Sequence, residues 1–124
     1  MTQTEKELLI KDLSCRIPYG VIVNVSGISN VKLTSVSWYG EVGVDDGSTY
    51  LYPISEVKPF LFPMSSMTKE QKKEYAHILV MSSNLASSQL LGMTVEDWLN
   101  KNHFDYRGLI PMGLAIDATN INIY

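Results

Sequence analysis

A chain of 124 residues with 45% hydrophobic and 19% charged residues has the composition of one globular domain with one core, which argues against disorder. The net charge of −3, with a pI near 5.3, gives no general attraction for phosphate backbones. Cys15 is the single cysteine, so an internal disulfide and a cysteine-rich zinc site are both excluded, and a buried thiol is the expectation.

In chain order, Thr4 and Glu7 fit a capping box and predict an opening helix from Thr4 to Leu13, with Leu8, Leu9 and Leu13 turned inward. Pro18 ends it, and the β-branched run Val21 to Val25 predicts the first strand. Ser26 to Asn30 has turn chemistry. Val31 to Trp38 predicts a second strand, whose apolar alternation slips by one between Leu33 and Val36, the pattern of a bulge. Glu41 to Val44 follows as a third strand. Asp45, Asp46, Gly47 and Ser48 form a hairpin turn in which Gly47 takes positive φ, and Thr49 to Tyr52 gives a fourth strand.

Pro53, Pro59 and Pro63 then punctuate a segment that reads as an extended connection inserting Val57, Phe60 and Phe62 into the core. Thr68, with Gln71 in the box position, starts a helix whose inward face is Tyr75, Ile78, Leu79 and Ser82. Asn84 to Gly92 fits either a ragged helix or a loop, since its serines oppose the helix that its leucines favour. The run Ala76 to Thr94 contains His77, Asn84 and Gln89 and makes a poor membrane span. The N-terminus lacks the apolar core of a signal peptide, so a cytoplasmic protein is expected.

Thr94 and Asp97 form another capping box, with Met93 and Trp98 placed to close a hydrophobic staple and Val95, Trp98 and Leu99 making the apolar stripe. Asp105 is placed to cap a second short helix through Leu109 and Ile110, ending near Gly113. Asn120 to Tyr124 alternates and fits either an edge strand or a trailing end. These elements predict a single α+β domain. An N-terminal helix precedes a small antiparallel four-stranded meander or open barrel, with a strand half over about 15–62 and a helical layer over about 68–117.

Four segments, KDLSCRIPYGV (Lys11 to Val21), VKPFLFPMSSMTKEQKKEY (Val57 to Tyr75), WLNKNHFDYRGLI (Trp98 to Ile110) and GLAID (Gly113 to Asp117), make the chain resemble a group of short proteins encoded by gut Bacteroidetes and their phages. Asn24 to Tyr50 and Ser82 to Met93 match that group least. The resemblance implies one intact domain in a phage or mobile-element context and assigns no substrate, partner or mechanism.

His103, Asp105, Tyr106 and Arg107 gather an imidazole, a carboxylate, a phenol and a guanidinium at one corner. Such a set suits an anionic ligand or, with Cys15 brought close, a thiol nucleophile and its base. A scaffold role accounts for the same residues: Asp105 caps the next turn and Arg107 ties the corner down. Asp45, Asp46 and Ser48 lack the alternating acids of a calcium loop, and His77 and His103 have no third ligand, so no metal or cofactor is expected. Lys69, Lys72 and Lys73 alternate with Glu70 and Glu74, the pattern of a solvated helix face.

Tyr19, Trp38, Tyr39, Tyr50, Tyr52, Phe60 and Phe62 divide between core and surface. Beside them, Glu41 to Glu56 carries Glu41, Asp45, Asp46 and Glu56 and no Lys or Arg. The leading expectation is a non-enzymatic interaction or adaptor protein that contacts a protein partner, or itself, through Tyr39, Tyr50, Tyr52 and neighbouring acids. A nucleic-acid accessory factor requires Lys11, Arg16, Lys58 and Lys101 to converge. An enzyme requires Cys15 and His103 to meet.

Overall fold

The structure, a computed structural model, describes residues 1–26, 28–82 and 94–124. The opening helix α1 (Gln3–Arg16) is capped by Thr2 rather than Thr4. The Thr2 hydroxyl accepts from the Glu5 N–H at 3.1 Å, and the Glu5 carboxylate accepts from the Thr2 N–H at 2.9 Å. Both threonines fit a box, but the inward face decides the length. Leu9, Asp12, Leu13 and Arg16 recur at helical spacing and all are fully buried, so the helix runs past Leu13 to bring Arg16 inside. A 3-10 turn over Ile17–Tyr19 and Gly20, at φ 71°, then lead into the sheet.

That sheet contains β1 (Ile22–Val25), β2 (Ile28–Val36), β3 (Glu41–Val44), β4 (Tyr52–Pro53), β5 (Val57–Pro63), β6 (Phe104–Asp105) and β7 (Ile116–Asp117). Its order is β4-β3-β2-β1-β5-β6, with β7 also pairing β5. The class is α+β. Among the described residues the strand count is corrected from four to seven, and the sheet is mixed, because β6 and β7 run parallel to β5 while the other pairs are antiparallel. The register slips between Leu33 and Ser35 against β3, where the alternation of the sequence loses phase. β4 is shorter than its sequence suggests.

The proline-rich stretch is a strand, not a connection. β1 pairs with it at Val57, Lys58 and Pro59, β7 at Phe60 and Leu61, and β6 at Phe62 and Pro63. Pro59 therefore has a ladder neighbour on one side only, so its missing N–H costs little.

The main core packs Leu9 and Leu13 of α1 against Val21, Val23, Leu33, Val42, Val57 and Leu61. A second cluster joins Trp98, Leu99 and Phe104 to Tyr75, Ile78, Phe62 and Met64. It is built by α2 (Lys69–Ser82) and α3 (Val95–Lys101), whose boxes form as the sequence predicts: Thr68 exchanges hydrogen bonds with Gln71, and Thr94 with Asp97. Tyr75 and Ile78 face inward, but Leu79 is 44% exposed and leaves the predicted stripe. The Ser82 side chain, Asn84 to Gly92 and the Met93 half of the staple lie outside the described residues. Among the described residues, no helix is long and apolar enough to cross a membrane.

No second helix follows Asp105. Leu109 to Gly113 makes a single turn, closed by Leu114 N–H to the Leu109 carbonyl at 2.9 Å and Gly113 N–H to the Ile110 carbonyl at 3.0 Å. With Gly113 at φ 76°, this is the bond pattern that ends a helix, and Pro111 lacks the N–H needed to extend one. Asn120 to Tyr124 forms no strand. Its last residue is anchored instead, because the Tyr124 hydroxyl accepts from the Ile22 N–H at 2.9 Å and donates to the Phe60 carbonyl at 2.8 Å.

Candidate functional site

The corner residues lie where α1, α3 and β6 meet. Asp105 stands on β6 with 7% exposure, and its two carboxylate oxygens accept from the backbone N–H groups of Leu109 at 2.8 Å and Ile110 at 2.9 Å. The carboxylate caps the turn that the sequence predicted as a helix. Arg107 donates to Asp12 at 3.1 Å and to the Tyr106 hydroxyl at 2.7 Å, and that hydroxyl donates to the Asn100 side-chain carbonyl at 3.0 Å. Its guanidinium also lies 4.6 Å from the centroid of the Tyr106 ring.

Asp12 and Arg16, which residue pattern alone did not single out as a pair, sit beneath this corner. Arg16 donates to Asp12 through Nε at 2.8 Å and Nη2 at 3.1 Å, and Nη2 also reaches the Phe104 carbonyl at 2.7 Å. The pair is buried completely. Their i,i+4 spacing on a helix was the available signal. Arg16 is therefore withdrawn from any surface basic patch with Lys11, Lys58 and Lys101, all of which are exposed.

His103 follows α3 in a left-handed conformation, φ 61°, and stacks on Tyr124 with ring centroids 3.6 Å apart and an 11° interplanar angle. Burial, aided by the Arg16 charge, pushes its pKa down to about 4, while burial pushes the Tyr124 hydroxyl up to about 12. Cys15 is half-buried on α1, and no hydrogen bond joins it to His103. His103 Nδ1 is buried without a partner, as is Nη1 of Arg16.

Two measurements test these assignments. Asp105→Ala removes both acceptors from Leu109 and Ile110, and it is expected to lower stability by about 0.5–2 kcal/mol in chemical denaturation, the range for a lost cap. For His103, the folded chain holds the ring neutral down to about pH 4, whereas the unfolded chain protonates near 6.5. The unfolded state then binds more protons, so this contribution to stability is fully present above pH 6.5 and is lost as pH falls toward 4. Melts across that window are expected to fall more steeply for the native chain than for His103→Asn, which tolerates positive φ and does not titrate.

The strand half presents a different surface. Trp38 is 85% exposed and Tyr50 61%, and Tyr39 and Leu51 are also exposed. The rings pair edge-on, Trp38 with Tyr39 at 5.4 Å and Tyr50 with Tyr52 at 4.7 Å. Trp38 and Tyr39 occupy the β2–β3 turn, held by Ser37 N–H to the Glu41 carbonyl at 2.9 Å, and the Gly40 carbonyl accepts from Ile54 at 2.8 Å beyond β4. Tyr52 pairs with Val42 on β3, so both aromatic pairs flank the β3–β4 ribbon. Asp46 is absorbed locally: its carboxylate accepts from the Ser48 N–H and hydroxyl and, at 2.8 Å, from the Tyr52 hydroxyl, which hold its pKa below the usual value.

A cavity of about 460 Å³ lies between α2 and α3 and is lined by Glu74, His77, Ile78, Trp98, Lys101 and Asn102. Glu74 accepts from the Trp98 indole N–H at 3.3 Å. Among the described residues, no group of His, Cys, Asp or Glu side chains is placed to hold a metal ion. No known protein family, curated protein or solved structure matches the chain.

Proposed function

We propose that this domain is a non-enzymatic interaction or adaptor module that contacts a protein partner through the aromatic surface of its β3–β4 ribbon, in a phage or mobile-element setting. The observation that carries the reading is the exposure of Trp38 and Tyr39 in the β2–β3 turn and of Tyr50 and Leu51 just before the edge strand β4. Large aromatics are the residues that supply most binding energy at protein interfaces, and leaving several of them in water has no benefit for folding. The phage setting rests on the four resembling segments alone.

The polar corner supports the same reading by a different route. Asp105 accepts from Leu109 and Ile110, the Tyr106 hydroxyl donates to Asn100 and Arg107 Nη1 donates to Asp12, bonds that suit a scaffold. Size-exclusion chromatography with light scattering, and affinity capture by the native chain beside Trp38→Ala/Tyr50→Ala, test the proposal. A partner, or self-association, that disappears in the variant while the melting temperature holds is the expected result. A native chain that stays monomeric and captures nothing, or equal capture by both proteins, overturns it.

A further inference from the structure

Resting on that reading, the geometry points to the kind of partner: we infer that the β3–β4 ribbon recognises an extended protein segment bearing arginine or lysine side chains. The ribbon's own segment carries charge of one sign. From residue 41 to residue 56 the chain has Glu41, Asp45, Asp46 and Glu56 and no Lys or Arg. Glu41, Asp45 and Glu56 are exposed, and among the described residues none makes an ion pair, since the pairs formed are those of Asp12 with Arg16 and Arg107. Lys6 lies against Gly40 at one margin of the ribbon, close to the Ile54 side chain.

Exposed aromatic faces beside unpaired carboxylates suit a guanidinium or ammonium group, which gains from the ring quadrupole and the acid together. The same surface repels an acidic segment and a phosphate backbone.

The ribbon's edge also restricts the binding mode. β4 ends the sheet, yet it has only two residues, Tyr52 and Pro53, and Pro53 has no N–H to donate. An added strand would find few backbone partners there, so recognition falls to side chains rather than to sheet extension.

The probe is an eight-residue peptide with alternating arginine and serine, beside versions carrying lysine or glutamate in place of arginine. Binding is followed through Trp38 fluorescence and, for variants lacking Trp38, by calorimetry. The chain has two tryptophans, and Trp98, 5% exposed, reports whether the fold persists. The arginine peptide is expected to bind, to weaken as salt rises, and to lose roughly tenfold in affinity with Trp38→Ala, with Tyr50→Ala, or with the pair Glu41→Gln/Asp45→Asn. Absence of binding by the arginine and lysine peptides, equal binding of the glutamate peptide, or unchanged affinity in all three variants overturns the inference. If the basic peptides fail while partner capture still requires Trp38 and Tyr50, the basic chemistry is wrong and the interaction surface stands. If capture is also insensitive to those residues, both readings fall.

Discussion

Asp12→Ala is expected to be among the most damaging single substitutions in the domain, costing about 3–5 kcal/mol, the range for removing one partner of a buried ion pair. The carboxylate carries two guanidinium groups, Arg16 and Arg107, and its removal leaves Arg16 fully buried with the Phe104 carbonyl as its remaining hydrogen-bond partner. Against a total stability of about 5–15 kcal/mol for a domain of this kind, that loss brings the chain close to unfolding. Arg16→Met should cost less. Asp12 then keeps Arg107, and methionine fills the space without burying a charge. Adding Arg16→Met to Asp12→Ala is expected to recover much of the loss, because the uncompensated cation is what makes the single variant costly. Denaturant titrations of the three variants give the order. If Asp12→Ala is as stable as the native chain, or if the double variant is worse than Asp12→Ala, the ion pair does not hold this corner.

That pair also shows why part of the fold was hard to read from the residues. Helical spacing was legible wherever the inward positions are apolar, as in α3, and wherever a capping box fixes the start, as at Thr68 and Thr94. In α1 half of the inward face is Asp12 and Arg16, which pattern reading places in solvent, so the predicted helix stopped at Leu13. Two threonine boxes overlapped at its start, and only the tertiary packing of Leu9 and Arg16 selects Thr2.

The seven-stranded sheet was obscured for another reason. Pro59 and Pro63 argue against a central strand unless the neighbouring strands are known to attach at staggered positions, which is long-range information. β6 and β7 have two residues each, too few for any periodicity. For the candidate surface, the sequence supplied the aromatics and acids but not their division: Phe60 went into the core, Tyr52 became half-buried against Asp46, and Trp38, left out of the expected partner surface of Tyr39, Tyr50 and Tyr52, is the most exposed large apolar residue described.

Trp98→Ala is expected to cost at least as much as Asp12→Ala, about 3–5 kcal/mol, because it empties the centre of the second core cluster. The indole is 5% exposed, stacks on Phe104 at 5.8 Å and 20°, and lies 5.7 Å from the Tyr75 ring. Its N–H is also the partner of Glu74 on α2. Truncation therefore opens a cavity and removes the contact by which α3 holds α2 and the β6 end of the sheet. Trp98→Phe separates these effects, since it restores most of the ring while leaving Glu74 unpartnered, and it should lie well above alanine in melting temperature. The same melts set a scale for the corner. If Trp98→Ala collapses while Asp105→Ala and Arg107→Ala melt with the native chain, the hydrogen bonds of Asp105 and Arg107 contribute nothing net to folding. The scaffold account of that corner then fails, and residues held in place without benefit to stability are the mark of a binding site.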